Sequence, residues 1–276
     1  MKLCALSVCI MALHAGVLAD TASAGEVLDR IEAKGVLTVA SDPAWPPYSW
    51  IDETGNWKGF DAAVASEIAR RMGVKIAFAT PSWETLTAGN WTGEWDLSVG
   101  SMSPTEDRAK VLDFPASYYF SPMVLAVHES NTTIQSPTDA SGKRIGALKG
   151  SIFEKYLRGE PTGMSSEMQP EYRIANAAIQ TYETSEAALR ELAKGADSDL
   201  DAMVDDMMYF LFQIEQGQPV RIVGQPLDYG PAAIAIAPGD PELGARLAEI
   251  VTEMQADGTL SALSTEWFGV DLTQKF

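Results

Sequence analysis

Two segments of the chain combine the start of a helix with groups that attract a carboxylate. Ser103-Pro104-Thr105-Glu106 has the pattern of a capped helix, and Arg108 follows within two turns. Ser151-Ile152-Phe153-Glu154 repeats the pattern directly after Lys149-Gly150. Free backbone N–H groups at a helix start attract an anion, and an arginine can hold a carboxylate through two parallel hydrogen bonds. Together the segments predict a carboxylate site, although each pattern alone is also that of an ordinary capped helix.

Acidic and aromatic residues follow other predicted strands. Asp205-Asp206 ends a strand and opens a helix, the segment Asp42 to Tyr48 follows the strand Val36–Ala40, and Trp83 lies in a third loop after a strand. In α/β sheets, ligands bind beyond the carboxyl ends of strands, where an aspartate can accept a hydrogen bond from an ammonium. Asp206 could equally be only a helix cap, and tryptophans are also frequent in cores and interfaces.

The elements that would position these residues alternate between strands and helices. Apolar residues recur at helical spacing from Phe60 to Met72, and Gly73 ends that helix. Short apolar strands are predicted at Arg144–Leu148 and Leu200–Val204, each followed by a helix. This alternation is typical of an α/β fold.

The first residues have the pattern of an export signal. Met1-Lys2 precedes an apolar run and two small-residue cleavage sites, so residues 1–24 are predicted to be a signal peptide that is removed. Both cysteines, Cys4 and Cys9, lie in this segment. The mature chain then has no disulfide, and His128 is its only histidine. We therefore expect no metal site and no cofactor.

Charge and motifs exclude several classes of function. The formal net charge is −18, which disfavours binding to nucleic acid or to anionic lipid. After the signal peptide, no segment resembles a membrane span, so no direct membrane insertion is expected. The sequence contains no Gly-x-Ser-x-Gly, His-Glu-x-x-His or phosphate-binding glycine loop. We expect a binding protein without catalytic residues.

In their order along the chain, the motifs resemble those of the family 3 extracellular solute-binding proteins. The family includes lysine/arginine/ornithine-, histidine- and glutamine-binding proteins of amino-acid ABC importers. The resemblance covers Gly25 to Gly269. The motifs that carry it are Gly35-Val36-Leu37-Thr38-Val39, Asp42 to Tyr48, Gly59-Phe60-Asp61, Asp96, Thr105-Glu106-Asp107-Arg108, Asp113-Phe114, Asp257-Gly258-Thr259 and Trp267-Phe268-Gly269.

The resemblance implies a type II periplasmic-binding-protein fold, with two α/β lobes joined by two hinge strands. Lobe 1 would contain residues 25–121 and 226–276, and lobe 2 residues 122–225. Ligand binding would close the cleft between the lobes by a hinge motion. The protein would be periplasmic and monomeric, and its partners would be an amino-acid ligand and the membrane permease of an ABC importer.

The resemblance also implies a set of binding residues. Arg108 matches the arginine that holds the ligand α-carboxylate, with Ser101 and Ser103 as helpers. Asp206 matches the aspartate that receives the α-ammonium. The full implied ligand-binding set is Asp42, Trp45, Trp83, Ser101, Ser103, Arg108, Ser151, Ile152 and Asp206.

The identity of the ligand is predicted from the residues that would face its side chain. A carboxylate at Asp42 favours positive charge, and Trp45 and Trp83 could bracket an aliphatic stem or a guanidinium. We therefore expect a polar, cationic L-amino acid. Ile152 and Phe153 make the pocket less polar than in typical basic-amino-acid binders, which leaves glutamine or a less polar amino acid as the second choice.

Two other functions remain open from the sequence. Some proteins of this fold resemble cyclohexadienyl dehydratases, which are enzymes that need a general acid in the same cleft. The protein could also be a ligand-sensing accessory protein that binds an amino acid and signals through a partner. The intact pair of Arg108 and Asp206 favours an amino-acid ligand over prephenate, although arogenate also carries an amino group.

Overall fold

The computed structural model describes residues 25–161 and 171–274; the predicted signal peptide, residues 1–24, lies outside this range. The helices are α1 (Glu26–Lys34), α2 (Phe60–Met72), α3 (Trp83–Thr87), α4 (Ile152–Arg158), α5 (Ser185–Leu192), α6 (Met207–Glu215), α7 (Pro241–Ala256) and α8 (Thr259–Phe268). The strands are β1 (Val36–Ala40), β2 (Ala44–Trp45), β3 (Ser49–Ile51), β4 (Trp57–Lys58), β5 (Lys75–Ala79), β6 (Leu97–Met102), β7 (Asp113–His128), β8 (Arg144–Leu148), β9 (Ala178–Tyr182), β10 (Ala202–Asp206) and β11 (Val220–Ile236).

Among the described residues, eight strands form one continuous sheet in the order β5-β1-β6-β11-β7-β10-β8-β9. At one end β1 pairs in parallel with β5 and β6, and at the other end β8 pairs in parallel with β9 and β10. The two central strands, β7 and β11, are antiparallel to each other. A small three-stranded sheet, β2-β3-β4, lies outside this arrangement.

The two central strands are long enough to belong to both halves of the sheet. β7 has 16 residues and β11 has 17, whereas the outer strands of the large sheet have five or six. The largest of the three irregularities in their pairing lies near the middle: Val223 is opposite Leu125, but the next pair is Asp228 with Met123. Four residues of β11 therefore face one residue of β7, which is a bulge that bends the sheet. This is the predicted two-lobe, type II architecture with two connecting strands.

Helices pack on the sheet through their apolar faces. In α2 the spacing of these apolar residues agrees with the prediction. In α2, residues such as Val64, Ala65 and Ile68 are fully buried, and Gly73 ends the helix in the left-handed conformation. Gly59, before α2, has φ of 107°, and a Cβ there would lie 2.4 Å from the carbonyl oxygen of Tyr48. Only glycine fits this close approach of two backbone segments.

The structure corrects two local predictions. Ser103 does not begin an α-helix; residues 103–107 are irregular and a short 3₁₀ helix follows at Arg108–Lys110. Because β7 begins at Asp113, the segment has room for only one helical turn, which the Thr105 hydroxyl caps by accepting from the Arg108 backbone N–H at 3.3 Å. Trp83 lies not in a loop but at the first position of α3, which Ser82 caps.

None of the helices in residues 25–161 and 171–274 is both long and apolar enough to span a bilayer.

Candidate ligand-binding site

A cavity lies where the carboxyl ends of strands from both halves of the sheet face each other. β1, β5 and β6 contribute from one half, and β8 and β9 from the other. The cavity contains about 730 Å³ of empty space, part of it open to solvent. Its lining residues are Ser41, Asp42, Trp45, Pro81, Trp83, Leu86, Gly100, Ser101, Ser103, Arg108, Ser121, Leu148, Ser151, Ile152, Phe153 and Ser185.

Arg108 is a buried cation that lacks a charged partner. Its side chain is at the cavity wall, and the whole residue is 8% exposed. Nη1 donates to the carbonyl oxygen of Ser103 at 2.9 Å, and Nη2 donates to the carbonyl oxygen of Gly150 at 3.2 Å. The guanidinium carbon also lies 5.0 Å from the ring centre of Trp83. Within the described residues, no carboxylate forms an ion pair with it.

The physical state of Arg108 indicates what it can bind. Burial lowers the pKa of Arg108 to about 10, so the group still carries its charge at neutral pH. A guanidinium has five N–H donors, and the two carbonyl oxygens occupy two of them. A buried charge is costly unless it is paired, and the planar donor fork fits a carboxylate in two parallel hydrogen bonds. This side of the cavity therefore suits an anionic group.

Asp206 lies at the end of β10 and is completely buried. Its Oδ1 accepts hydrogen bonds from the Tyr48 hydroxyl and from the backbone N–H of Met208, and its Oδ2 accepts one from the Ser121 hydroxyl. It thus caps α6 and is also the centre of a hydrogen-bond network. Burial raises the pKa of Asp206 to about 6, while these donors oppose the rise.

A second buried carboxylate, Asp61, supports the backbone of β6. Its Oδ2 accepts from the Ser101 hydroxyl at 2.8 Å, and its Oδ1 accepts from the Tyr118 hydroxyl at 2.7 Å. Ser101 has φ of 52°, in the left-handed region that costs a non-glycine residue about 1–3 kcal/mol. The Tyr118 oxygen accepts from the Ser101 backbone N–H at 2.9 Å, so the network offsets that cost. Burial raises the pKa of Asp61 to about 7.

A third buried carboxylate, Asp205, stands behind Ser185. Asp205 is completely buried and accepts a hydrogen bond from the Ser185 hydroxyl at 2.5 Å. It also accepts from the backbone N–H of Asp206 at 2.8 Å. Burial raises the pKa of Asp205 to about 7, and the neighbouring charge of Asp206 adds to the rise.

We call the two sides of the cavity the arginine wall and the carboxylate wall. The arginine wall consists of Arg108 with Trp83 and the backbone at Ser103 and Gly150. The carboxylate wall consists of three serine–aspartate pairs: Ser101 with Asp61, Ser121 with Asp206, and Ser185 with Asp205. In each pair the serine lines the cavity and the aspartate lies behind it. The cavity is therefore lined by one buried cation and by three serines that each have a buried carboxylate behind them.

Asp42 and two tryptophans complete the surroundings. Asp42 lines the cavity and is exposed; its Oδ1 accepts from the Ala44 backbone N–H at 2.8 Å, and the surrounding protein raises its pKa by desolvation. Trp45 is half-buried and stacks on Tyr48, with ring centres 4.3 Å apart. Trp83 offers a flat apolar surface next to Arg108.

The start of helix α4 positions two further predicted residues, Ser151 and Ile152. Ser151 caps this helix by accepting from the Glu154 backbone N–H at 3.3 Å, as the sequence pattern predicts. The Glu154 carboxylate accepts from the backbone N–H of Gly150 at 2.7 Å, while the backbone N–H of Ser151 donates to the Leu148 carbonyl oxygen. The predicted capping box is therefore not closed at Ser151, because its backbone N–H is used by the preceding turn. Ile152 and Phe153 follow on the first turn and line the cavity with apolar surface.

The structure brings the sequence-predicted residues together around one cavity. Eight of the nine line it, and Asp206 lies immediately behind Ser121. Ser121 and Ser185 also line the cavity, although they are not among the residues predicted from the sequence. Ser185 had a detectable signal, because it follows β9 at the start of α5, whereas Ser121 lies within β7 and its position depends on the pairing of strands.

The fold and the cavity define a two-lobe solute-binding protein of the type II class. The model for the bacterial extracellular solute-binding proteins, family 3, matches residues 37–270. The chain belongs to this family.

Several characterised proteins are similar to this chain over most of its length. It is 25% identical to the L-cystine-binding protein TcyJ of Escherichia coli (strain K12), over 98% of this chain and 96% of that protein. A solved ancestral amino-acid-binding protein, a precursor of cyclohexadienyl dehydratase, has a TM-score of 0.75 at 28% identity and covers 87% of this chain and 99% of its own. An ancestral arginine-binding protein bound to arginine has a TM-score of 0.74 at 29% identity, with 85% and 99% coverage.

Proposed function

We propose that this protein binds a polar, cationic L-amino acid between its lobes and delivers it to the permease of an ABC importer. The observation that carries the proposal is Arg108, a buried guanidinium that faces the cavity without a carboxylate partner among the described residues. A ligand carboxylate would supply the missing charge. Desolvation makes that pairing stronger than it would be in water, because the effective dielectric constant inside a closed cleft is lower.

The carboxylate wall suits the ammonium group of the ligand. We infer that the α-ammonium lies near Ser121 and Asp206, and that the ligand side chain extends towards Asp42, Trp45 and Trp83. An ammonium has three N–H donors and needs acceptors, which the carboxylate wall supplies. Ser101, Ser103, Ser151 and the backbone at Ile152 would complete the site. Similarity to proteins named for cystine and arginine agrees with an amino-acid ligand.

The proposed lobes are residues 25–121 with 226–276, and residues 122–225. Their boundaries fall close to the interruption in pairing between β7 and β11, where a hinge would bend with the least loss of hydrogen bonds. Contacts between the proposed lobes, such as the ion pair of Asp107 with Lys155 at 2.7 Å, agree with a closed cleft. We infer a monomeric protein that works in the periplasm after removal of its signal peptide.

Calorimetric titration of the ligand-free protein tests the proposal. The ligands are L-arginine, L-lysine, L-glutamine, L-cystine and L-leucine, and we expect L-arginine or L-lysine to bind tightest. Tighter binding of L-leucine would contradict a cationic ligand while leaving an amino-acid ligand in place. Absence of binding to every amino acid would contradict the function itself.

A catalytic assay separates binding from the enzymatic alternative. A dehydratase needs a general acid that reaches its substrate. Asp61, Asp205 and Asp206 have the raised pKa of such an acid, but each lies behind a serine rather than on the cavity surface. Asp42 lines the cavity and its pKa is also raised, but it is exposed. We therefore expect no aromatic product from arogenate or prephenate, measured by absorbance. Formation of product would favour the enzyme.

A further inference from the structure

Five of the six serines that line the cavity donate their hydroxyl protons to protein groups. The cavity-lining serines are Ser41, Ser101, Ser103, Ser121, Ser151 and Ser185. The Ser41 hydroxyl donates to the carbonyl oxygen of Val99 at 2.9 Å, and that of Ser151 to Leu148 at 2.6 Å. The three serines of the carboxylate wall donate to aspartates. Because a hydroxyl has one proton and two lone pairs, these five oxygens can only accept hydrogen bonds from a ligand.

At Asp61 the direction of each hydrogen bond is determined by its neighbours. The Tyr118 oxygen accepts from the Ser101 backbone N–H, so the phenolic proton is free to point to Asp61 Oδ1. The other oxygen, Oδ2, then accepts the proton of the Ser101 hydroxyl. An ionised carboxylate only accepts hydrogen bonds, so the Ser101 proton points away from the cavity.

Asp205 has the same arrangement with a different fixed donor. Its Oδ1 accepts from the backbone N–H of Asp206, which cannot reverse its direction, and its Oδ2 accepts from the Ser185 hydroxyl. The Ser185 proton is therefore also turned into the protein. Neither Asp61 nor Asp205 is among the residues that line the cavity.

We propose that Asp61 and Asp205 are positioning residues that select the ligand by holding the Ser101 and Ser185 hydroxyls as acceptors. The inference rests on the proposed amino-acid-binding function and assigns part of its selectivity to two residues that do not touch the ligand. A guanidinium or ammonium side chain satisfies these oxygens with its N–H groups. A carboxylate side chain brings only lone pairs, which leaves buried acceptors facing acceptors.

Substituting asparagine for each aspartate reverses the direction of its hydrogen bond with the serine and leaves the size of the substituted side chain nearly unchanged. In Asp61→Asn, the amide oxygen takes the place of Oδ1 and accepts the Tyr118 proton, which has no other acceptor among the hydrogen bonds of the described residues. The amide NH₂ then faces the Ser101 oxygen and turns the Ser101 proton into the cavity. In Asp205→Asn, the backbone N–H of Asp206 fixes the amide oxygen in the same way. Each variant therefore converts one acceptor into a donor.

The experiment measures affinities for L-arginine and L-glutamate by calorimetry, at pH 8.5, in wild type and in both asparagine variants. A hydrogen bond to a charged group contributes enough to change affinity roughly tenfold to a hundredfold. We expect each variant to lower the ratio of arginine affinity to glutamate affinity by at least about tenfold. Asp197→Asn, which removes an exposed charge elsewhere on the chain, is the matched control and should leave the ratio unchanged.

A thermodynamic cycle separates positioning from loss of charge. Asp61→Asn is repeated in a Ser101→Ala background, and Asp205→Asn in a Ser185→Ala background. If each aspartate acts through its serine, the asparagine substitution changes the ratio by less than about threefold once the serine hydroxyl is absent. An undiminished effect in the alanine backgrounds would show that the aspartates act only through their charge, and would overturn the inference.

The remaining outcomes are also decisive. Circular dichroism and a single melting transition establish that each variant is folded, and if Asp61→Asn does not fold, the Asp205 arm carries the test alone. An unchanged arginine-to-glutamate ratio in folded variants overturns the inference but leaves the proposed function intact. A wild type that binds another amino acid but neither L-arginine nor L-lysine overturns the inference and the cationic ligand, but leaves an amino-acid-binding function in place. A wild type that binds no amino acid overturns both.

Discussion

The two walls of the cavity differ in whether their charged groups reach the cavity. The arginine wall presents its guanidinium directly to the cavity. Among the described residues, the guanidinium donates to two main-chain carbonyls and lies beside the Trp83 ring. The carboxylate wall keeps its aspartates behind serines, and each aspartate has its hydrogen bonds satisfied by the protein. The first wall needs a ligand to complete it, whereas the second is already complete. We infer that the arginine wall supplies most of the affinity and the carboxylate wall most of the selectivity.

The walls also differ in their response to pH. Burial lowers the pKa of Arg108 to about 10, which leaves it charged at every pH in ordinary use. Burial raises the pKa of Asp61 and Asp205 to about 7 and that of Asp206 to about 6. A desolvated cation and a desolvated carboxylate both move towards their neutral forms, but only the carboxylates reach the physiological range.

The largest expected effect comes from removing the arginine wall. Arg108→Ala removes the partner of a buried, hydrogen-bonded ligand carboxylate, a change that costs roughly 2–5 kcal/mol. Affinity for the ligand should fall on the order of 30-fold to several thousand-fold, as measured by calorimetric titration. The fold should survive, because the residue lies at a cavity edge and forms no ion pair among the described residues.

A surface arginine provides the comparison for this variant. Arg70 has a side chain that is 69% exposed and pairs with Glu67 on the same helix, so Arg70→Ala should leave ligand affinity unchanged. Near-native affinity in a folded Arg108→Ala protein would show that the carboxylate anchor is elsewhere.

The pH dependence tests the carboxylate wall. A cationic ligand that lowers the pKa of one nearby carboxyl by about one unit makes the affinity depend on pH. The affinity falls about tenfold as the pH drops below the pKa of that carboxyl in both the ligand-free and the ligand-bound protein. We expect the affinity for L-arginine to decrease on this scale between pH 8 and pH 5.5. The groups that face Asp61 are Tyr118, Ser101, Asp206 and Asp42. An affinity that rises on acidification would contradict this role of the carboxylate wall.

The stability of the ligand-free protein should change in the opposite direction. Asp61 and Asp205 bind protons more tightly in the folded state than their ordinary value of 3.8 allows, so the free energy of unfolding falls as pH rises from about 4 to about 7. The melting temperature should therefore be several degrees higher at pH 5.5 than at pH 8. Asp107 and Asp257 have a pKa lowered to about 2 and lose their contribution only at more acidic pH. In Asp61→Asn the increase should be smaller; an unchanged increase would assign it to other groups.

A smaller effect is expected from the one predicted site residue whose carboxylate lies at the exposed margin of the cavity. Asp42 is exposed, so solvent screens its interaction with a ligand cation. Asp42→Asn should weaken L-arginine binding about three- to tenfold and leave L-leucine binding unchanged. Calorimetry with both ligands measures the difference. An arginine affinity that does not change would remove Asp42 from the side-chain site.

The smallest effect is expected from a contact that joins the two proposed lobes without touching the ligand. Lys155 on α4 pairs with Asp107, whose side chain is 65% exposed. Exposed pairs contribute little, so Lys155→Ala should weaken ligand binding by less than about fivefold. A much larger loss, measured in the same titration, would mean that closure of the cleft depends on this ion pair as well as on the two walls.

Local sequence patterns determined much of the fold. The apolar spacing of α2, its terminal glycine and the side-chain cap of Ser151 on α4 appear in the structure as predicted. These features depend on contacts within a few residues, which the sequence displays directly. The order of motifs also indicated the family. Most of the binding residues that were predicted from the resemblance to this family line one cavity.

Only the tertiary structure decided how distant side chains pair. The short spacing before β7 replaced the predicted helix at Ser103 by a single 3₁₀ turn. The pairing of β7 with its neighbours turned Ser121 towards Asp206, and the contact of α2 with β6 turned Ser101 towards Asp61. Hydrogen bonds between residues 40 to 85 positions apart leave no periodic signal in the chain, because their geometry exists only after the sheet has formed.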